Sequence, residues 1–141
     1  MRDSNSTILA LDVGGRRIGV AAANVVARLP YPLVTLDNSA DTLAVLQKLV
    51  EEQRAVGVVV GLPRNLNGNE TEQTQTTRAF VQALETHIAT PVYWQDEAVT
   101  SRQAEKELVT RGKPYSKGDI DALAATYILE DFLRDHPEAV R

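Results

Sequence analysis

Three acidic side chains, far apart along the chain, sit among neighbours that suit them to hold a hard cation. Asp12 ends the apolar run Thr7-Ile-Leu-Ala-Leu-Asp12 and precedes Val13-Gly14-Gly15-Arg16-Arg17-Ile18-Gly19-Val20. The run has the character of a buried strand, where an unpaired carboxylate is costly. Glycines after it permit a tight turn and a close ligand approach to the backbone. Arg16 and Arg17 add donors matched to phosphate. An acid holding a metal beside a phosphate is the simplest use of this arrangement. A turn-forming Asp at a strand end is the plainer one.

Glu97, in Gln95-Asp-Glu-Ala-Val-Thr-Ser101, lies just beyond the strand expected at 91–95, the fifth along the chain. That is the carboxyl end, where open α/β sheets bind ligands. Asp96 and Glu97 alternate in direction, so at most one enters a given site. Both could instead be solvated acids ahead of a helix N-terminus. In a helix opening near Ser116, positions 121, 124, 125 and 128 share one face. They are Asp121, Ala124, Ala125 and Ile128, an acid heading an apolar stripe. Asp119 has a simpler role as capping partner of Ser116, which leaves Asp121 as the third acid.

Such acids suit magnesium or manganese, which bind through carboxylates, water and substrate phosphates. With no cysteine and only His87 and His136, the chain lacks the usual ligands of zinc. Two carboxylates about 4 Å apart repel by about 4 kcal/mol at an effective dielectric of about 20, so a cluster needs a cation. Two such ions can position a water for in-line attack and stabilise the departing oxygen.

The positioning elements follow from periodicity. Strands are expected at about 7–12, 17–23 and 33–36, the first two joined so briefly that they must be antiparallel. Leu43, Leu46, Leu49 and Val50 mark an amphipathic helix over about 40–54. Val56-Gly-Val-Val-Val-Gly61 reads as a strand inside a parallel sheet. The loop 61–69 follows, then a helix capped by Asn69 with Glu72 and buried through Phe80, Val81, Leu84 and Ile88. A fifth strand at 91–95 precedes helices opening at Thr100 and Ser116, the former stopping at Arg111-Gly112. The fold class expected is α/β: a mixed five-stranded sheet, three antiparallel strands then parallel ones, flanked by helices. One domain is expected over 1–141, with 1–6 flexible and 135–141 a C-terminal tail.

The formal net charge of −4 argues against tight non-specific nucleic-acid binding, although a local basic patch can still guide a phosphate backbone. Absence of cysteine fits a reducing compartment. No stretch is long and apolar enough to span a membrane, and the N-terminus lacks a signal-peptide core. The expected location is therefore intracellular, with no membrane partner. No Walker-type loop and no cysteine nucleophile is present. Trp94 and Phe80 are expected in the core, and Tyr115, between Lys113 and Lys117, is the aromatic best placed to meet a nucleic acid.

Four blocks carry a family resemblance: Ile8-Leu-Ala-Leu-Asp-Val-Gly-Gly-Arg-Arg-Ile-Gly-Val-Ala21, Val58-Val-Val-Gly-Leu-Pro63 with Asn67-Gly68, Asp96-Glu-Ala-Val-Thr-Ser101 and Ile120-Asp-Ala-Leu-Ala-Ala125. In this order they resemble the YqgF family, also called RuvX, over about residues 7–133. The resemblance implies an RNase H-like fold, a cytoplasmic location and a nuclease acting in 5′ processing of pre-16S rRNA. Branched DNA, a Holliday junction, is the competing substrate. It makes Asp12, Glu97 and Asp121 the catalytic acids and the ligands of Mg2+ or Mn2+. Gly14, Arg16, Arg17, Asn65 and Thr100 become substrate-binding residues. Three positions depart from the family pattern: Gly15 replaces a hydroxyl residue, Ala98 an arginine and Asn67 an aspartate. Ala98 lends weight to an RNA-binding accessory domain with a degenerate site. The Asp-x-Gly turn is also used by actin-like ATPases and sugar kinases, which need two such domains.

Overall fold

The structure, a computed structural model, describes residues 4–97, 108–112 and 116–140. The chain runs β1 (Thr7–Val13), β2 (Arg17–Asn24), β3 (Tyr31–Asp37), α1 (Thr42–Glu52), β4 (Ala55–Pro63), α2 (Glu72–Leu84), β5 (Val92–Glu97) and α3 (Lys117–Asp135). The sheet order is β3-β2-β1-β4-β5. β1 pairs antiparallel with β2, and β2 with β3, while β1, β4 and β5 are parallel. This is the expected mixed sheet. The tight β1–β2 connection forces antiparallel pairing, and each crossover through a helix returns the chain parallel.

Alternation divides the sheet into two faces. Leu9, Leu11 and Val13 of β1 join Val20, Val58 and Val60 against Leu46 and Val50 of α1 and Val81 and Leu84 of α2. Ile8 and Ala10 point the other way. They pack with Ala21, Ala23 and Val59 beneath Ala125, Ile128, Leu129 and Phe132 of α3. Both faces are covered, which is why β1 and β4 read as nearly continuous apolar runs.

α3 lies across all of that second face. At its start the Thr35 hydroxyl of β3 donates to the Gly118 carbonyl at 2.6 Å. Near its end Phe132 meets Tyr93 of β5 at a centroid distance of 5.6 Å. Ser116 and Asp119 form the anticipated capping box: the Ser116 side chain accepts from the Asp119 N–H at 3.2 Å, and the Ser116 N–H donates to Asp119 at 2.9 Å. That bond accounts for Asp119 and leaves Asp121 facing the sheet.

Several boundaries differ from the sequence expectation. β3 continues through Pro32, because an edge strand tolerates a residue without an N–H. The cap of α2 is Thr71 with Thr74, not Asn69 with Glu72. The buried Thr74 hydroxyl also donates to the Pro63 carbonyl at 2.5 Å, tying the helix to the end of β4. β5 runs on to Glu97, placing that acid on the strand itself. Residues 4–6 are engaged: the Asn24 amide donates to the Ser4 carbonyl, and the Val25 N–H to Ser6 at 3.0 Å. Val140, in the expected tail, is buried in the α3-side core. The expected helix opening at Thr100 lies outside the described residues. Residues 108–111 are helical and are followed by Gly112 at φ 70°, a left-handed stop that favours glycine. Among the described residues, no helix is long and apolar enough to cross a membrane.

Candidate active site

Asp12 is the penultimate residue of β1, in the middle of the sheet, and shares its face with Ile8 and Ala10 beneath α3. Its cross-strand partner on β2 is Gly19. Burial, and secondarily the charge of Asp121, push its carboxyl up from the ordinary 3.8 to about 6. Desolvation disfavours the ionised form, and a second acid adds to that penalty.

Gly19 brings the second acid in. A Cβ at this position would lie 1.9 Å from the Asp121 carbonyl oxygen and 2.8 Å from the Ala122 nitrogen. The backbone of α3 therefore rests directly on β2 at the residue opposite Asp12, and no side chain larger than hydrogen fits between them. Ala124, Ala125 and Ile128, the predicted stripe, are all buried. The Asp121 carboxylate accepts from Nε of Arg17 at 2.5 Å, with the two side chains 19% and 32% exposed. A guanidinium donating to a carboxylate makes a charge-assisted bond.

Glu97 ends β5 and, by alternation from Tyr93, faces the α3 side as Asp12 does. Glycine again makes room. A Cβ on Gly61 would meet Ile128 Cδ1 at 2.5 Å and Glu97 Cγ at 3.7 Å, so the Glu97 side chain leans over β4 toward β1. Its Oε1 is buried. Two strand spacings, about 10 Å, nonetheless separate the backbones of β1 and β5. Among the described residues no three acidic or histidine side chains close into a ready ligand set. Asp12 and Asp121 thus lie near one another, while Glu97 approaches on the same face from β5.

The expected substrate residues fare unequally. Gly14 shapes the turn: its N–H donates to the Arg17 carbonyl at 2.9 Å, and a Cβ would sit 2.7 Å from that oxygen. Gly15 has open space around it, so the family's hydroxyl residue would fit there without altering the turn. Arg16 is exposed at the turn. Arg17 holds Asp121 instead of pointing to solvent. Asn65 organises its own loop, its side-chain oxygen accepting from the Asn67 and Asn69 N–H groups at 3.0 and 2.9 Å. That accounts for Asn65 structurally and keeps Asn67 in the same turn. Thr100 and Ala98 lie outside the described residues, as do Lys113 and Tyr115.

Other contributors escape a reading of the sequence. Gly19 and Gly61 are legible there only as glycines inside strands, a recognised sign of close backbone approach. Arg64 sits at the end of β4, its N–H donating to the Glu97 carbonyl at 3.0 Å and its Nε 3.2 Å from Asp96. It thereby ties Asp96 to the opposite side from Glu97. Trp94, expected in the core, is 36% exposed on β5, with the Arg78 guanidinium 5.6 Å from its ring. β5 is an edge strand, so its outer residues are only half covered.

Known proteins share this arrangement of elements. The family model described as "RuvX: Holliday junction resolvase" matches residues 6–135. A Chloroflexus aurantiacus protein named "Putative pre-16S rRNA nuclease" is 40% identical over 134 residues, covering 92% of this chain and 88% of its own. One of the same name from Thiobacillus denitrificans is 37% identical over 133 residues, with 92% of each chain covered. Among solved structures, Thermus thermophilus RuvC in complex with a Holliday junction superposes with a TM-score of 0.55 at 18% identity, covering 92% and 96% of the two chains. The fowlpox virus resolvase bound to junction DNA gives 0.50 at 10% identity, covering 96% and 99%. At such identities these structures speak for the fold, which is RNase H-like. A family match across nearly the whole chain, carried on a sheet that sets Asp12 against Asp121, shows that this protein belongs to the RuvX family.

Proposed function

We propose that this protein is a metal-dependent endonuclease that hydrolyses phosphodiester bonds in ribosomal RNA precursors, at the 5′ end of pre-16S rRNA. The observation that carries this reading is the pairing of Asp12 with Asp121 at the open end of β1, in a fold shared with nucleases. The names of the relatives supply the substrate.

The residues fit a divalent ion. Asp12 is buried enough to resist ionisation, and Asp121 beside it raises the cost further. A hard cation relieves both effects, and magnesium characteristically takes one or two carboxylates together with water and substrate phosphate. Asp12 and Asp121 would hold it, with Glu97 facing the same space from β5. Bound there, the ion would supply a polarised water and charge stabilisation for the departing oxygen. The chain does the rest. Asp12 and Asp121 are fixed by strand pairing and by the α3–Gly19 contact, so little reorganisation is needed. Glu97 orients the attacking water. The Gly14 turn and exposed Arg16 meet the phosphate backbone of the substrate strand.

The family description favours a second reading, cleavage of branched DNA. Purified protein is incubated with a pre-16S rRNA fragment and with a four-way DNA junction, each with magnesium and then manganese. Cleavage of the RNA, lost in Asp121→Asn, supports the proposal. Cleavage of the junction alone selects the second reading. Binding of RNA without cleavage of either substrate would mean a degenerate site.

A further inference from the structure

The proposed reaction leaves the Arg17–Asp121 bond unexplained. A cationic group occupies one of the two carboxylates on which a divalent ion is expected to sit. The pair is locally determined. Arg17 opens β2 in register with Asp37, and its side chain emerges on the α3 face, two residues before Gly19. Asp121 cannot retreat, because its own backbone rests on Gly19. The guanidinium therefore reaches Oδ2 at 2.5 Å from a fixed base. Its stem is one-third exposed, so the same side chain can swing into solvent without disturbing the sheet. A divalent ion and a guanidinium on one carboxylate oxygen repel each other.

The geometry points to Arg17 as a resident counter-ion: it neutralises Asp121 in the metal-free protein and competes with a divalent cation for that carboxylate. Arg17 is thus a positioning residue for Asp121. It occupies the carboxylate until a cation displaces it and so sets how readily metal enters. The inference rests on the metal-site reading above. An ordinary structural ion pair would instead stabilise the fold without competing with a cation.

The test uses the full chain and magnesium chloride alone, with affinity read from thermal shift and calorimetric titration. Removing the competitor in Arg17→Ala should tighten magnesium binding about five-fold, equal to about 1 kcal/mol at roughly 1.4 kcal/mol per decade. Arg16→Ala removes the same charge from the neighbouring exposed position and should change affinity less than about two-fold. Equal effects of the two variants, or weaker binding in Arg17→Ala, overturn the proposal. Should Arg17→Ala not fold, the native protein still decides. The Arg17 Nε–H resonance should move and exchange faster with solvent as magnesium saturates the site, and a resonance unchanged at saturation overturns it. The two readings fail differently. No response of the native protein to magnesium or manganese removes the metal site and the counter-ion together, whereas normal binding with an unaltered Arg17→Ala affinity removes the counter-ion alone.

Discussion

Replacing Asp12 by asparagine should make the protein more stable and inactive at once. The folded state holds the Asp12 proton to about pH 6, against an ordinary value of 3.8. Between those values the native state binds more protons than the unfolded chain, so stability falls as pH rises. At about 1.4 kcal/mol per pH unit, the interval from 3.8 to about 6 costs about 3 kcal/mol once the pH is above it. An asparagine side chain in that place would be neutral at every pH and so escape the cost. Urea denaturation at pH 8 should show Asp12→Asn more stable by up to about 3 kcal/mol, or about 10 °C in Tm for a chain of this size. The gain should shrink through pH 5 and vanish near pH 4, where the native carboxyl is also protonated. Magnesium should raise the Tm of the native protein at pH 8 and leave that of the variant unchanged, and cleavage should be lost in the variant. Equal stability of the two proteins at pH 8 would refute the claim that Asp12 is held in a desolvated, acid-crowded position. Retained cleavage would refute its place in the site.

Gly19→Ala should be severe, because the added Cβ meets fixed backbone at 1.9 Å. A loss of about 3 kcal/mol or more by urea denaturation is expected, and cleavage should be lost as Asp121 moves away from Asp12. Gly61→Ala meets a side chain, not backbone, with Ile128 Cδ1 at 2.5 Å and Cγ1 at 3.1 Å, and should cost less, about 1–2 kcal/mol. Adding Ile128→Val, which removes the clashing Cδ1, should restore part of that loss, a favourable coupling measurable in a double-mutant cycle.

The sheet was legible because its constraints are local. A short apolar run, a two-glycine turn and a second apolar run leave only an antiparallel hairpin. The valine-rich β4, flanked by helical periodicity, leaves only a parallel neighbour. The Ser116–Asp119 cap was legible for the same reason, and it singled out Asp121 by explaining Asp119. What escaped notice depended on contacts between distant segments. The carboxylate that Arg17 meets comes into view only once α3 is laid across β2. The bonds by which the Asn65 side chain closes its own loop are likewise a matter of the folded turn. Trp94 reads as core until β5 proves to be the outermost strand. Gly19 was visible as a glycine within a strand, but its partner lies near the other end of the chain, beyond any local pattern. The reach of Glu97 depends on how far β5 persists and on the width of the intervening strand, neither of which the spacing of acids reveals.

Where a hard cation goes decides whether Asp12 and Asp121 form a metal site. Crystals grown with manganese, measured at a wavelength where manganese scatters anomalously, would locate it. The expected peak lies about 2.1 Å from carboxylate oxygens of both Asp12 and Asp121, on the face that Glu97 shares. A manganese-saturated protein with no peak between those two residues, or with its peak elsewhere on the surface, would contradict the proposed site.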